Sequence, residues 1–390
     1  MRSVLTLNAG SSSLKFALYR AADLTLICKG QIENLGHLSD DSHTLFHARD
    51  AAGKALADAE IAGHEHAAAL RYLLDWLDRQ YQGLRPAAVA HRIVHGGPRF
   101  AEPLRLSDET LQALDTLTPL APLHQPHGLA GARSMLTLLP EVAQIACFDT
   151  AFHRSQPELQ QRFALPDSYF QQGVRRYGFH GLSYQYIAQQ LPAHLGAAAE
   201  GRVVVAHLGN GASACALLGR QSMASSMGFT ALDGLMMGTR CGRIDPGVLI
   251  YLQETLGMSV NEISQLLYQQ SGLLGVSGLS HDMRTLSASP EPAAQLAIAL
   301  FCQQAAREIA ALCVAIGGLD ALVFTAGIGE HHPRVRAEIC RQLQWLGLDL
   351  DSAANQANAA RISTATSSIS AWVIATDEEA MLARAAVAYC

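Results

Sequence analysis

The stretch LTLNAGSSSLKFALYR, Leu5 to Arg20, holds two short apolar runs separated by Asn8, Gly10 and three consecutive serines, with Lys15 just beyond them. Runs of this length around a Gly/Ser turn read as the two strands of a β-hairpin. Such a turn aims backbone N–H groups and hydroxyls at one point, which is the chemistry that holds an anion, phosphate first among them. Further along, VVVAHLGNGASACALL, Val203 to Leu218, repeats the order of apolar strand, Asn/Gly/Ser turn and apolar strand. The echo implies duplicated hairpins heading two similar domains, their turns facing one cleft to clamp a polyphosphate.

Between and after the hairpins, strands and helices alternate. HEHAAALRYLLDWLDRQY (His64 to Tyr81) carries Leu70, Leu73, Leu74 and Leu77 on one helical face. Ser107 is placed to cap a second helix, with Asp108 and Glu109 complementing its dipole. VAQIACFD, RVVVAHL and DALVFTAG read as buried strands that each deliver a polar cluster at the C-terminal end. Pro292 to Ile316 is helical in composition, and DEEAMLARAAVAY, after the strand AWVIAT, reads as a closing helix. The pattern predicts an α/β protein with ligands at the carboxyl ends of its strands.

A chain of 390 residues that is 49% hydrophobic has material for two cores. Its 28 basic and 34 acidic side chains give a net charge of −6, the wrong sign for a nucleic-acid face or an anionic membrane, so a small-molecule partner is expected. Eight cysteines without a C-x-x-C pair read as reduced thiols, the start MRSVLTLNAG lacks a signal-peptide apolar region, and no run approaches the roughly 18 apolar residues of a membrane span. A cytoplasmic protein is the expectation.

HLGNGASA (His207 to Ala214) also fits the dinucleotide fingerprint G-x-G-x-x-A, with Asp233 downstream. That fingerprint must open a helix of several turns, yet only the short run ending in SACALL separates Gly211 from Gly219, which suits a returning strand. No P-loop motif occurs. His91 and His95 stand four apart without the glutamate of a zincin, and neither His331–His332 nor His64–Glu65–His66 completes a metal set, so no zinc site is expected.

Arg92 ends an apolar run beside a Gly-Gly turn, and Arg240 and Arg243 lie in the Gly-rich loop MMGTRCGRIDPG. A guanidinium fork matches carboxylate and phosphate oxygens. Asp149 closes a buried strand, where a carboxylate needs a partner or a task. His124, His180 and His207 each sit in a turn rich in Gly or Pro, positioned to donate to phosphoryl oxygens.

With these residues in place the chain resembles the acetate kinases, of the short-chain acyl kinase family within the sugar kinase, actin and Hsp70 superfamily. LNAGSSSLKF and RRYGFHGLSYQYI match the two signature stretches, and AHRIVHGG, FDTAFH, HLGNGAS, DMR, TAGIGE and DEE follow in order. The resemblance implies a duplicated ribonuclease H-like fold with five-stranded sheets, ATP/ADP and Mg2+ (or Mn2+) bound, and a homodimer built largely through the second domain. It implies an acyl kinase domain of residues 1–149 with 379–390 and a nucleotide-binding domain of residues 150–378. The reaction it implies is reversible: ATP plus acetate giving ADP plus acetyl phosphate.

By the same matching, Asn8 and Glu378 are the Mg2+ positions, while Ser11, Ser13 and Lys15 form the first phosphate turn and His207, Leu208, Gly209, Asn210 and Gly211 the second. Arg92 and Arg240 flank acetate and the transferring phosphoryl, His180 stabilises the transition state, and Asp149 is the essential acid. Asp282, Met283 and Arg284, with Gly327, Ile328, Gly329, Glu330 and His331, match the nucleotide site. Val94, Leu123 and Phe179 match the pocket for the acetate methyl, with His124 beside it. Acetate is already ionised at neutral pH, so Asp149 has no substrate proton to remove and is expected to orient a neighbour or hold metal-bound water.

Four positions depart from the family pattern. Arg243 stands where Asp is usual, Gln125 and His331 where Asn is usual, and Ala231 where Pro is usual. Ala231 makes for a slightly roomier acyl pocket, so a propionate kinase is the near alternative, and a non-catalytic actin- or Hsp70-like nucleotide-binding protein the distant one.

Overall fold

The opening stretch forms the expected hairpin: β1 (Ser3–Ala9) and β2 (Ser13–Arg20) pair antiparallel, with Asn8 opposite Lys15 and Gly10 N donating to Ser13 O at 2.8 Å across the turn. The computed structural model describes residues 2–10, 12–36, 43–122 and 124–390. The chain divides into two compact units, Met1–Ala151 with Asp377–Cys390, and Phe152–Thr376. Ser11 and Leu123 lie outside the described residues.

The first unit adds β3 (Leu26–Glu33), β4 (Thr44–Asp50), β5 (Ala55–Ile61), β6 (Ala88–Ile93), β7 (Leu104–Arg105) and β8 (Ala143–Phe148), in the sheet order β5-β4-β3-β2-β1-β6-β8-β7. The second unit builds a sheet of order β11-β10-β9-β12-β13 from β9 (Arg202–Leu208), β10 (Ala212–Leu218), β11 (Gln221–Ser225), β12 (Ala321–Thr325) and β13 (Ser370–Val373). The run β3-β2-β1-β6-β8 has the order of the second sheet, and in both the first three strands are antiparallel and the last two join in parallel. The duplication seen in the hairpins therefore extends to the whole strand order.

The first sheet has eight strands where five were expected. The β4/β5 hairpin extends one edge because Phe46 and Ala48 alternate inward and join a core with Phe16, Leu73 and Trp76, where the Phe16 and Phe46 rings stack 5.6 Å apart. The division of the chain also differs from expectation: Thr150, Ala151, Asp377 and Glu378 belong to the first unit. Asp377 caps the helix Glu378–Val387 by accepting from Ala380 N at 2.8 Å, and that helix packs on β1 and β6, so its first turn goes with it.

The helix Pro292–Ile316 has the predicted bounds, with Gly317 closing it in the left-handed region at φ +70°. By length and composition it is apolar enough to cross a membrane, contrary to the reading of the sequence. Its Ala297, Ile298, Phe301, Ala305 and Ile309 are nonetheless buried within the unit, and it packs on β9 and β10, which accounts for the apolar character. Among the described residues the cysteines are all free thiols, and burial pushes Cys28 up to about 11 and Cys147 and Cys215 up to about 12.

Candidate active site

In the first unit three neighbouring strands deliver their C-terminal residues to one place. β1 and β6 run parallel, with Leu7 beside His91, one step before Asn8 and Arg92. β8 runs parallel to β6 with Cys147 beside Arg92, two residues before Asp149. Arg92 Nε donates to Asp149 Oδ1 at 2.9 Å and Nη2 to Oδ2 at 2.6 Å, a bidentate fork. Its remaining nitrogen, Nη1, lies 3.5 Å from Asn8 Oδ1 and 3.8 Å from Glu378 Oε2. Asp149 is 2% exposed and Arg92 only 19%, so this is a largely desolvated pair.

Burial disfavours the Arg92 charge, but the carboxylates of Asp149 and Glu378 outweigh it and hold the guanidinium more firmly protonated than usual. The Glu378 carboxyl is pushed above its ordinary value, first by burial and then by Asp149 and Glu379, with Arg92 and Lys15 pulling the other way. Three carboxylates thus share one arginine and one lysine, an excess of negative charge that a cation relieves. Asn8 Oδ1 and the Glu378 oxygens are hard donors of the kind Mg2+ takes. Among the described residues no three His, Cys, Asp or Glu side chains are grouped to hold a metal.

In the second unit the Gly209–Gly211 turn closes the β9/β10 hairpin, with His207 paired across to Ser213. His180 stands in the left-handed region at φ +57° just before the helix Gly181–Leu195. Its Nδ1 is 2.8 Å from Ser213 Oγ, which is 2.5 Å from the Tyr184 hydroxyl, and its ring stacks on His207 at 4.3 Å and 16°. A Cβ on Gly211 would meet His180 Nε2 at 3.3 Å, so the imidazole lies against the Gly209–Gly211 turn. His207 Nδ1 is 2.8 Å from Ser183 Oγ, itself 2.9 Å from Thr376 Oγ1.

The Arg240 loop docks on the same turn. Gly238 N donates to Asn210 O at 3.0 Å, and a Cβ at Gly238 would fall 2.0 Å from Asn210 Oδ1, so a side chain there would displace the Asn210 amide. Arg240 Nη1 donates to the Ala231 carbonyl at 3.1 Å. That acceptor is a backbone carbonyl, which Ala231 presents as a proline there would.

The strand β12 leads into a short helix, Ala326–His331, that carries Gly327, Ile328 and Gly329. Glu330 Oε1 accepts from Ala326 N at 2.8 Å and Thr376 N at 3.1 Å, so this side chain ties the turn to the end of the sheet. Sequence reasoning missed Arg336, which is wholly buried and donates to the Gly329 and Glu330 carbonyls, both at 2.9 Å, and to Asn355 and Asn358. It also missed Ser183, Tyr184, Ser213, Thr376 and Glu379. Their signal was weak because hydroxyls and a second glutamate are common in any helix or strand.

The other expected residues stand as follows. Asp282 caps the helix Met283–Ala288 and forks onto Arg284 at 2.6 Å, which draws its carboxyl down to about 2. Met283 is buried, while the His331 ring is 77% exposed and 3.8 Å from Glu330 Oε2. Val94 follows β6, Phe179 is buried in the second unit, and His124 precedes the helix Gln125–Leu138. Ser13 and Lys15 open β2, with Lys15 exposed.

Two departures acquire structural explanations. Gln125 is fully buried, accepts from His95 N and donates to His95 O, both at 3.0 Å, and so bolts the backbone next to Val94. Arg243 pairs with Glu308 at 2.9 Å and helps line a cavity of about 380 Å³ with Gly234, Gln304 and Arg307. Among the described residues, none expected to hold acyl group or nucleotide lines that cavity.

The sequence profile of the Acetokinase family matches residues 3–384. An acetate kinase from Rhodopseudomonas palustris (strain TIE-1) is 52% identical over 390 residues, covering 98% of this chain and 96% of the relative. Among solved structures, a propionate kinase from Francisella tularensis subsp. tularensis SCHU S4 superposes with a TM-score of 0.92 at 35% identity, covering 99% of each chain. Porphyromonas gingivalis acetate kinase gives 0.89 at 35% identity, covering 100% of each.

Proposed function

The chain belongs to the acetokinase family, and we propose from that membership and from the Arg92 cluster that it transfers the ATP γ-phosphoryl group reversibly to acetate, giving ADP and acetyl phosphate. The relative at 52% identity is an acetate kinase over nearly its full length, which sets aside a non-catalytic actin- or Hsp70-like role. The observation that carries the reading is the Asp149–Arg92 fork: two guanidinium nitrogens are taken by Asp149, which fixes the plane of the side chain and presents Nη1. A small carboxylate gains a preoriented cation there.

An acetate oxygen attacks the γ-phosphorus in line, and charge accumulates on the phosphoryl oxygens in a loose transition state. Arg240, held by the Ala231 carbonyl, and His180, held by Ser213 and His207, supply preorganised donors for that charge. The Gly209–Gly211 turn and the Gly327–His331 segment serve the nucleotide. Asn8 and Glu378 would hold Mg2+, whose charge would offset that of the polyphosphate. Asp149 orients Arg92 and removes no proton, since acetate arrives ionised.

We place the enzyme in the cytoplasm as a homodimer formed through the second unit. The unpaired thiols support the compartment, and family resemblance supports the dimer.

Hydroxamate formation with ATP, Mg2+ and hydroxylamine, run with acetate, propionate and butyrate, tests the reading. Acetate should give the highest kcat/KM, and Val94→Ala should move preference toward propionate by up to the ~1–3 kcal/mol that one methylene is worth. Propionate clearly favoured by the unmodified protein would make Ala231 the deciding departure and the enzyme a propionate kinase.

A further inference from the structure

We propose that His153 is a positioning residue for phosphoryl transfer, acting on His180 through the Phe179 carbonyl; the proposal rests on the reading that His180 serves the transition state. His180 is a non-glycine residue at φ +57°, ψ +28°, a conformation that persists only where surrounding structure imposes it. On its side-chain side, Ser213 and His207 hold the ring. On its backbone side, His153 Nε2 lies 2.8 Å from the carbonyl oxygen of Phe179, the residue just before it. A carbonyl only accepts, so Nε2 carries the proton and donates it.

The rest of the His153 ring is built in. Nδ1 lies 2.8 Å from Ser222 Oγ, which also accepts from Gln156 Nε2 at 3.0 Å. His153, Ser222 and Gln156 are all at least 96% buried, so water is poorly placed to replace a lost bond to Phe179. Tyr184, which shares Ser213 with His180, meets the His153 ring edge-on at 5.6 Å. Gly178 completes the fit: it stands at φ +74°, and a Cβ there would fall 2.6 Å from His153 Cγ and Cδ2. The ring therefore occupies the space beneath the Gly178–Phe179–His180 turn and sets the peptide from which the His180 side chain departs.

Two polar variants separate the positioning role from simple filling of the core. In His153→Gln the amide nitrogen falls near the place of Nε2 and can reach Phe179 O. In His153→Asn it falls near Nδ1 and reaches only Ser222. Expected for His153→Asn is a kcat at least tenfold lower with the KM values for acetate and ATP within about twofold, and for His153→Gln recovery to within about threefold of the parent. In a His180→Ala background His153→Asn should cost less than about twofold, because the group it positions is gone.

Equal kcat for the Asn and Gln variants, or losses from His153→Asn and His180→Ala that simply multiply, would overturn the proposal. An undiminished kcat in His180→Ala alone would instead overturn the reading on which it rests.

Discussion

Asp149→Asn should both loosen the first unit and disable the enzyme, because one side chain holds Arg92 by two bonds. The bonds are 2.9 and 2.6 Å long and the acceptor is 2% exposed. An amide keeps one acceptor oxygen but turns an NH2 toward a guanidinium N–H, so one charge-assisted bond is lost outright and the counter-charge with it. Breaking a buried ion pair from one side costs about 3–5 kcal/mol. Arg92 is 19% exposed and keeps Glu378 at 3.8 Å, which places the loss near the lower end, about 3 kcal/mol. For a unit of this size that is a fall in Tm of roughly 6–12 °C. Turnover should fall by a factor of about 10² or more, with acetate KM raised, since the cation proposed to receive acetate is no longer aimed. Arg92→Met combined with Asp149→Asn removes the stranded charge and should recover much of the stability without the activity. Melting curves followed by circular dichroism, with hydroxamate assays on the same preparations, check both halves. An Asp149→Asn protein that melts with the parent and binds acetate normally, yet does not turn over, would refute the orienting role and return Asp149 to the chemistry itself.

Glu378 carries a pH prediction. Its carboxyl is raised in the fold, chiefly by burial, so the native state binds the extra proton and stability without Mg2+ falls as pH rises above its ordinary 4.5. Glu378→Gln should flatten that decline, leave the metal-free protein at least as stable at neutral pH, and abolish the Mg2+-dependent rise in Tm; a destabilised variant that still responds to Mg2+ would contradict it. Arg240→Ala should lower kcat by roughly 10² or more, because a preorganised charge contact is lost, and an unchanged kcat would remove Arg240 from the mechanism. Arg336→Met leaves the Gly329 and Glu330 carbonyls unpaired at about 1–3 kcal/mol each, and should raise the KM for ATP while leaving that for acetate unmoved; equal effects on both would argue against a nucleotide-loop role.

Both hairpins and the helix Pro292–Ile316 were legible because they rest on local signals: alternation of apolar and polar residues, turn chemistry, and a Pro and Gly at the helix ends. The edge hairpin β4/β5 was not, since its weak alternation gains meaning only when Phe46 meets Phe16 and Trp76. Arg92 and Asp149 could be singled out one at a time, but their pairing spans 57 positions and arises from the parallel register of β6 and β8. Arg336 shows the limit most plainly. A charged residue in the helix Pro333–Gln342 reads as solvated, and only the carbonyl ends of the neighbouring turn explain why it is buried.

Duplication lets the two units be compared position by position, and the comparison explains their division of labour. Asn8 and His207 each stand one residue before the end of their hairpin's first strand, paired across to Lys15 and Ser213. Arg92 stands on β6 one step past the Leu7–His91 pair, and Thr325 lies beside His207 on β12. Asp149 follows β8, and Thr376 follows β13 in the corresponding place. At matching points of one scaffold the first unit thus has amide, cation and carboxylate, and the second has imidazole and hydroxyls. Carboxylates beside a phosphate would repel it, so a turn lined by hydroxyls, imidazoles and backbone N–H groups is the better seat for one. The carboxylates gathered around Arg92 make a place that favours a cation instead, and the guanidinium there is held tightly by Asp149 at two nitrogens and only at 3.5 and 3.8 Å, by Asn8 and Glu378, at the third.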